Sequence, residues 1–135
     1  MTPQELRERT ERFVRAIVEF AKPLMRKPGT SDVARQLLRA ATSVGANYRS
    51  AGRGRSHAEF TAKIGLVLEE ADECLYWLEL LRDSTLATGE EVEMLVQEAR
   101  ELVAIFSASR RTAIKNRRSR DRAISRSKDR QSDNP

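Results

Sequence analysis

Five carboxylates crowd one segment of this chain: Glu69, Glu70, Asp72, Glu73 and Glu79. Carboxylates on facing helices can hold a pair of metal ions, but that chemistry takes a Glu-x-x-His motif from each of two helices. The single histidine, His57, belongs to no such motif, so neither a metal site nor a cofactor is expected. Nucleophilic catalysis lacks its parts as well. A reactive thiol needs a base, and Cys74 lies 17 residues from His57, roughly 25 Å along a helix. Ser43 has no histidine partner, and no phosphate loop or dinucleotide fingerprint occurs. The residues predict a protein that is not an enzyme. The acidic run then reads as one side of a set of ion pairs. If the helices on either side of residues 52–56 pack antiparallel, Arg39 falls near Glu70 and Arg35 near Glu73. Such pairs set register more than stability, because exposed pairs contribute little.

The other charged feature is basic. The formal charge is +5, but residues 1–106 hold 15 Lys/Arg against 17 Asp/Glu, while residues 107–135 hold 10 Lys/Arg against 3 Asp. The positive charge is a property of the C-terminal segment. Cations in that density neutralise phosphates and release counterions, which gives salt-sensitive, sequence-independent binding to RNA or DNA. The candidate contacts are Arg110, Arg111, Lys115, Arg117, Arg118, Arg120 and Arg122, with Arg53 and Arg55 from a Gly/Arg loop. Arg39, Arg49 and Lys63 extend a basic strip toward that loop if the helices bring them together. The segment has no aromatic residue on which to stack a base. A solvated extension that aids solubility is the competing reading of the segment, and a plain helix connector that of the loop.

These groups must be positioned by helices. Phe60, Ile64, Val67, Ala71, Cys74, Leu78 and Leu81 recur in steps of 4 and 3, a heptad seam that has to be buried against other helices. The pattern predicts helices over about 3–26, 31–51, 57–83 and 89–112. Capping boxes open three of them at Thr2/Glu5, Ser56/Glu59 and Thr88/Glu91, and Pro23 is expected to kink or end the first. The second helix has a face of small residues, Ala40, Ala41, Ser43, Gly45 and Ala46, that lets a neighbour approach closely. Short connections favour antiparallel, up-down-up-down order. The expected fold is an all-α four-helix bundle over residues 1–112, followed by a basic tail, 113–135, too poor in apolar residues to order itself.

Cys74 sits on the seam and is expected to be buried and inert. Asn47, near the seam of the second helix, is expected to set register through a hydrogen bond inside the bundle. Tyr76, Trp77 and Leu80 lie beside the third seam and are candidates for a subunit interface, where aromatic anchors are enriched. No apolar run reaches the roughly 20 residues of a membrane span or looks like a signal peptide, and with one cysteine the expected location is cytoplasmic.

The run Gln36-Leu37-Leu38-Arg39-Ala40-Ala41-Thr42-Ser43-Val44-Gly45-Ala46-Asn47-Tyr48, with Glu59-Phe60 and Glu69-Glu70-Ala71-Asp72-Glu73-Cys74-Leu75-Tyr76-Trp77-Leu78-Glu79, resembles the four-helix proteins called 23S rRNA intervening-sequence proteins. The resemblance covers about residues 3–110. It implies an antiparallel four-helix protomer assembled into a ring-like homo-oligomer, pentameric in members whose structures are known. A related group, the accessory variability proteins of diversity-generating retroelements, implies RNA and a reverse transcriptase as partners. Ser50 stands where family members often carry a glutamate, and the long basic tail is a second departure. Together these readings give a non-enzymatic, homo-oligomeric scaffold that associates with RNA, with a purely structural or protein-binding ring as the alternative.

Overall fold

The computed structural model describes residues 1–132, and the last three residues of the expected tail, 133–135, lie outside it. Four helices account for nearly all of it: α1 (Pro3–Met25), α2 (Ser31–Ala51), α3 (His57–Asp83) and α4 (Glu90–Ser132). No strand occurs among the described residues.

Local chemistry explains most boundaries. The Thr2 hydroxyl accepts from the Glu5 N–H at 3.1 Å and the Glu5 carboxylate accepts from the Thr2 N–H at 3.3 Å, a complete capping box. Pro23 does not stop α1 at once; the helix ends two residues later at Met25. Thr30 donates its hydroxyl to the Leu24 carbonyl at 2.6 Å, stitching the start of α2 to the last turn of α1. At α3, Ser56 caps Glu59 N–H at 3.1 Å, but the Glu59 carboxylate reaches back to Arg55 N–H rather than to Ser56, so the expected box is only half formed. α3 closes with a Schellman motif: Leu86 N–H bonds Leu81 carbonyl at 2.9 Å and Thr85 N–H bonds Arg82 carbonyl at 3.1 Å. Thr85 occupies the left-handed position usually given to glycine, with φ of 59°. The third expected box does not form. α4 opens from Gly89, whose φ of 109° turns the chain, and its start is favoured instead by Glu90, Glu91 and Glu93 at the positive end of the helix dipole.

Pairwise contacts show that neighbouring helices run antiparallel. Residues 14 and 45 face each other across α1 and α2, Arg39 meets Glu70 and Glu73 across α2 and α3, and Arg82 meets Glu93 across α3 and α4. The α2 face of small residues is buried in part. Ala40, Ala41 and Gly45 are buried, and a Cβ built on Gly45 would stand 3.2 Å from Val14 Cγ2, whereas Ser43 is half-buried and Ala46 is exposed. The α3 seam is buried from Ile64 to Leu81, with Phe60 at its start half-buried, and from Val67 onward it shares one core with Phe13, Ile17, Leu37, Val44, Leu102 and Phe106 of the other three helices. Each large apolar side chain so enclosed contributes roughly 1.5–3 kcal/mol. Of the helix pairs that pack side by side, α1 and α4 approach each other least, and there Arg9 reaches across to Glu98 and Glu101.

The basic segment departs from expectation. α4 does not end near residue 112 as an unstructured tail begins; it continues as a helix to Ser132. Ala113 is its last buried residue, and every side chain from Lys115 to Gln131 is exposed. The helix persists for local reasons. No Gly or Pro falls between Glu90 and Ser132, Arg, Lys, Ala and Gln are good helix formers, and cations sit favourably near a helix C-terminus.

Candidate nucleic-acid interface

The helical state of the basic segment turns a list of cations into an arrangement. Arg111, Lys115, Arg118, Arg122 and Arg126 follow one another at steps of 4, 3, 4 and 4, so at 3.6 residues per turn they share one face of α4. The stripe runs for about 22 Å and points away from the side of α4 that buries Leu102, Phe106 and Ala113. Arg117 and Arg120 stand on the opposite side of the rod. Arg110 leaves the set: it lies across α3, its Nε 3.4 Å from where a Cβ on Gly65 would stand. Arg111 is tethered within the stripe by a 2.9 Å bond to Ser107 Oγ.

The Gly/Arg turn is at the end of the bundle from which this rod emerges. His57 Nε2, at the start of α3, donates to the Ala113 carbonyl at 2.9 Å and anchors α4 at its last buried residue. Arg53 and Arg55 are exposed beside it. No local signal in the sequence pairs His57 with Ala113, 56 positions away.

A cleft of about 650 Å³ opens at the same end, between the first half of α1, the end of α2 and the first turns of α3. Arg7, Arg15, Arg49 and Arg53 line it with Glu11 as the one carboxylate, and Tyr48, Phe60 and Ile64 supply apolar surface. Among the described residues none of these four guanidinium groups makes an ion pair or a side-chain hydrogen bond. Tyr48 packs its ring on Phe106 with centroids 5.5 Å apart, and burial raises its hydroxyl pKa against the opposing charge of Arg7.

The expected ion pairs are formed in part. Arg39 reaches both Glu70, at 3.5 Å, and Glu73. Arg35 does not meet Glu73. It pairs within its own helix with Asp32 at 3.8 Å, because Arg39 already occupies the α3 carboxylates. Burial acts to raise both acids; it holds Glu70 above its ordinary value, whereas the hydrogen bond from Arg39 brings Glu73 below its own. Asn47 bonds no other helix. Its amide donates to the Ser43 carbonyl and Ser43 Oγ, both at 3.0 Å, so it cannot set register between helices. Burial pushes the Cys74 thiol up to about 12.

The candidate interface residues divide. Tyr76 is 58% exposed, with its ring edge-on to Trp77 at 4.9 Å. Trp77 and Leu80 are half-buried, and Trp77 packs on the core with its indole N–H buried. Leu66, exposed on α3 as well, stands on the same side as Leu80. No cluster of three or more potential metal ligands, and no helix long and apolar enough to cross a membrane, occurs among the described residues.

Comparison with known proteins gives a consistent placement. The chain is similar to a crystallised protein of unknown function from the S23 ribosomal protein family of Bacteroides thetaiotaomicron VPI-5482, with 31% identity, a TM-score of 0.72, and 78% of this chain and 97% of that one covered. No curated protein matches. The family model described as 23S rRNA-intervening sequence protein matches residues 4–108, which takes in nearly all of the bundle and stops short of the basic stripe. With the four antiparallel helices and the α2–α3 motifs, that match establishes that the chain belongs to the 23S rRNA-intervening sequence protein family.

Proposed function

We propose that the protein is a non-enzymatic, homo-oligomeric scaffold that binds RNA through the arginine stripe of α4. The observation that carries this reading is the alignment of Arg111, Lys115, Arg118, Arg122 and Arg126 on one exposed face of a helix. A ready-formed row of cations meets a phosphate backbone without first having to order a chain. Copies of the rod held in one oligomer act together through effective concentration. The exposed Tyr76 and Leu66 of α3, with the half-buried Leu80 beside them, support self-association.

The test compares the full chain with an R118Q/R122Q/R126Q variant on a structured RNA across a salt series. For every phosphate that is no longer neutralised, the slope of log K against log salt shrinks by about 0.7–0.9. The variant is expected to bind at least tenfold more weakly at low salt, with a slope smaller by about 2–3. Equal, negligible binding by the two proteins would leave the structural or protein-binding ring, and equal, salt-sensitive binding would move the contact off the stripe. Solution mass measures assembly separately: a multiple of the 15.3 kDa protomer is expected, reduced by Y76E/L80E.

A further inference from the structure

Several arginines elsewhere in the bundle stand beside acids. Arg9 has Glu98 and Glu101, Arg39 has Glu70 and Glu73, and Arg82 has Asp83 and Glu93. The cleft at the α1–α2 end instead brings four arginines, Arg7, Arg15, Arg49 and Arg53, to the lining of one concavity, with Glu11 as its one carboxylate. Their charges repel one another, and apolar walls concentrate the resulting positive potential inside the cleft. The volume, about 650 Å³, falls in the range of roughly 300–1,000 Å³ typical of small-molecule sites. Two aromatic rings, Tyr48 and Phe60, are half-buried along its wall. The Tyr48 hydroxyl has no hydrogen-bond partner among the described residues.

We infer that this cleft binds a nucleotide phosphomonoester, with Arg7, Arg49 and Arg53 on the phosphate and the Tyr48–Phe60 wall against the base. Planar guanidinium forks suit phosphate oxygens, and an aromatic wall accepts any base by its π-face. The chemistry is shared by a free nucleoside monophosphate and by the 5′-phosphorylated end of an RNA. The site is separate from the α4 stripe, since its guanidinium groups come from α1, the end of α2 and the turn that follows, so its failure and failure of the RNA-scaffold reading are distinguishable.

The experiment uses the full-length chain carrying R118Q/R122Q/R126Q, which suppresses binding through the rod, and titrates it with adenosine 5′-monophosphate by calorimetry and amide chemical shift. Saturable binding at one site per protomer is expected, with the largest shifts at Gly45, Arg49 and Gly52. R7Q or R49Q should weaken it at least tenfold, and adenosine without phosphate should not compete. Displacement by a short 5′-phosphorylated oligoribonucleotide but not by its 5′-hydroxyl counterpart identifies an RNA end as the occupant; displacement by neither identifies the free nucleotide. Three results would overturn the inference: no saturable binding up to millimolar nucleotide, binding unchanged in R7Q and R49Q, or inorganic phosphate competing as well as the nucleotide.

Discussion

Arg39 of α2 bridges Glu70 and Glu73 of α3, two carboxylates one helical turn apart, and thereby fixes how the two helices slide past each other. The three groups sit at the bundle's edge, half-exposed, so the bridge sets alignment more than it adds stability.

Replacing Arg39 with Met is expected to lower the urea midpoint by less than any core truncation. The same variant should raise the titration of Glu73, which is lowered in the folded protein. A carboxyl lowered on folding adds stability that is present above its unfolded pKa and lost as pH falls through the folded one. The gap in midpoint between the parent and R39M should therefore shrink on acidification below about pH 4, a comparison that denaturation at two pH values makes directly.

Phe106 is fully buried and carries the Tyr48 ring. Phe106→Ala should cost about 3–5 kcal/mol through reduced burial and the cavity left behind. Leu78→Ala, on the α3 seam, should cost about 2–5 kcal/mol. Chemical denaturation with unchanged m-values is the check.

Cys74 has its thiol pKa raised to about 12 by burial. The folded state keeps a proton that the unfolded chain releases near pH ~8.5, so stability should fall as pH rises above about 9, by at most about 1.4 kcal/mol per pH unit. Cys74→Ala should flatten that decline. Alkylation at about pH 8 should be negligible in buffer and rapid in urea.

The rod itself can be broken without touching the core. Arg120→Pro removes one helical hydrogen bond and crowds the Asn116 carbonyl, a local penalty of about 3 kcal/mol. Because side chains from Lys115 to Gln131 are exposed, the bundle's thermal midpoint should stay within a degree or two. Far-UV ellipticity should drop, and RNA affinity should fall with it.

The bundle was legible because burial writes itself into sequence. Val92, Leu95, Ala99, Leu102 and Phe106 repeat at 3 and 4, and the α3 seam does the same. An exposed helix leaves no apolar rhythm, so the run past Ala113 reads as unable to order. Its signal is the same 4-3-4-4 spacing written in cations, which composition alone conceals. Asn47 and Arg35 depart from expectation in a related way: both have partners three or four residues away in their own helix, which the spacing of seam positions does not reveal. The cleft was out of reach, since Arg7 and Arg49 are 42 positions apart and meet only once α1 lies against α2.

The 43 residues of α4 form one uninterrupted helix rooted in the core. The direction in which it leaves the bundle is dictated by the packing of Phe106 and the latch between His57 and Ala113. A small rotation at that root would carry the distal arginines through a wide arc, so the direction in which the basic stripe faces is decided inside the bundle.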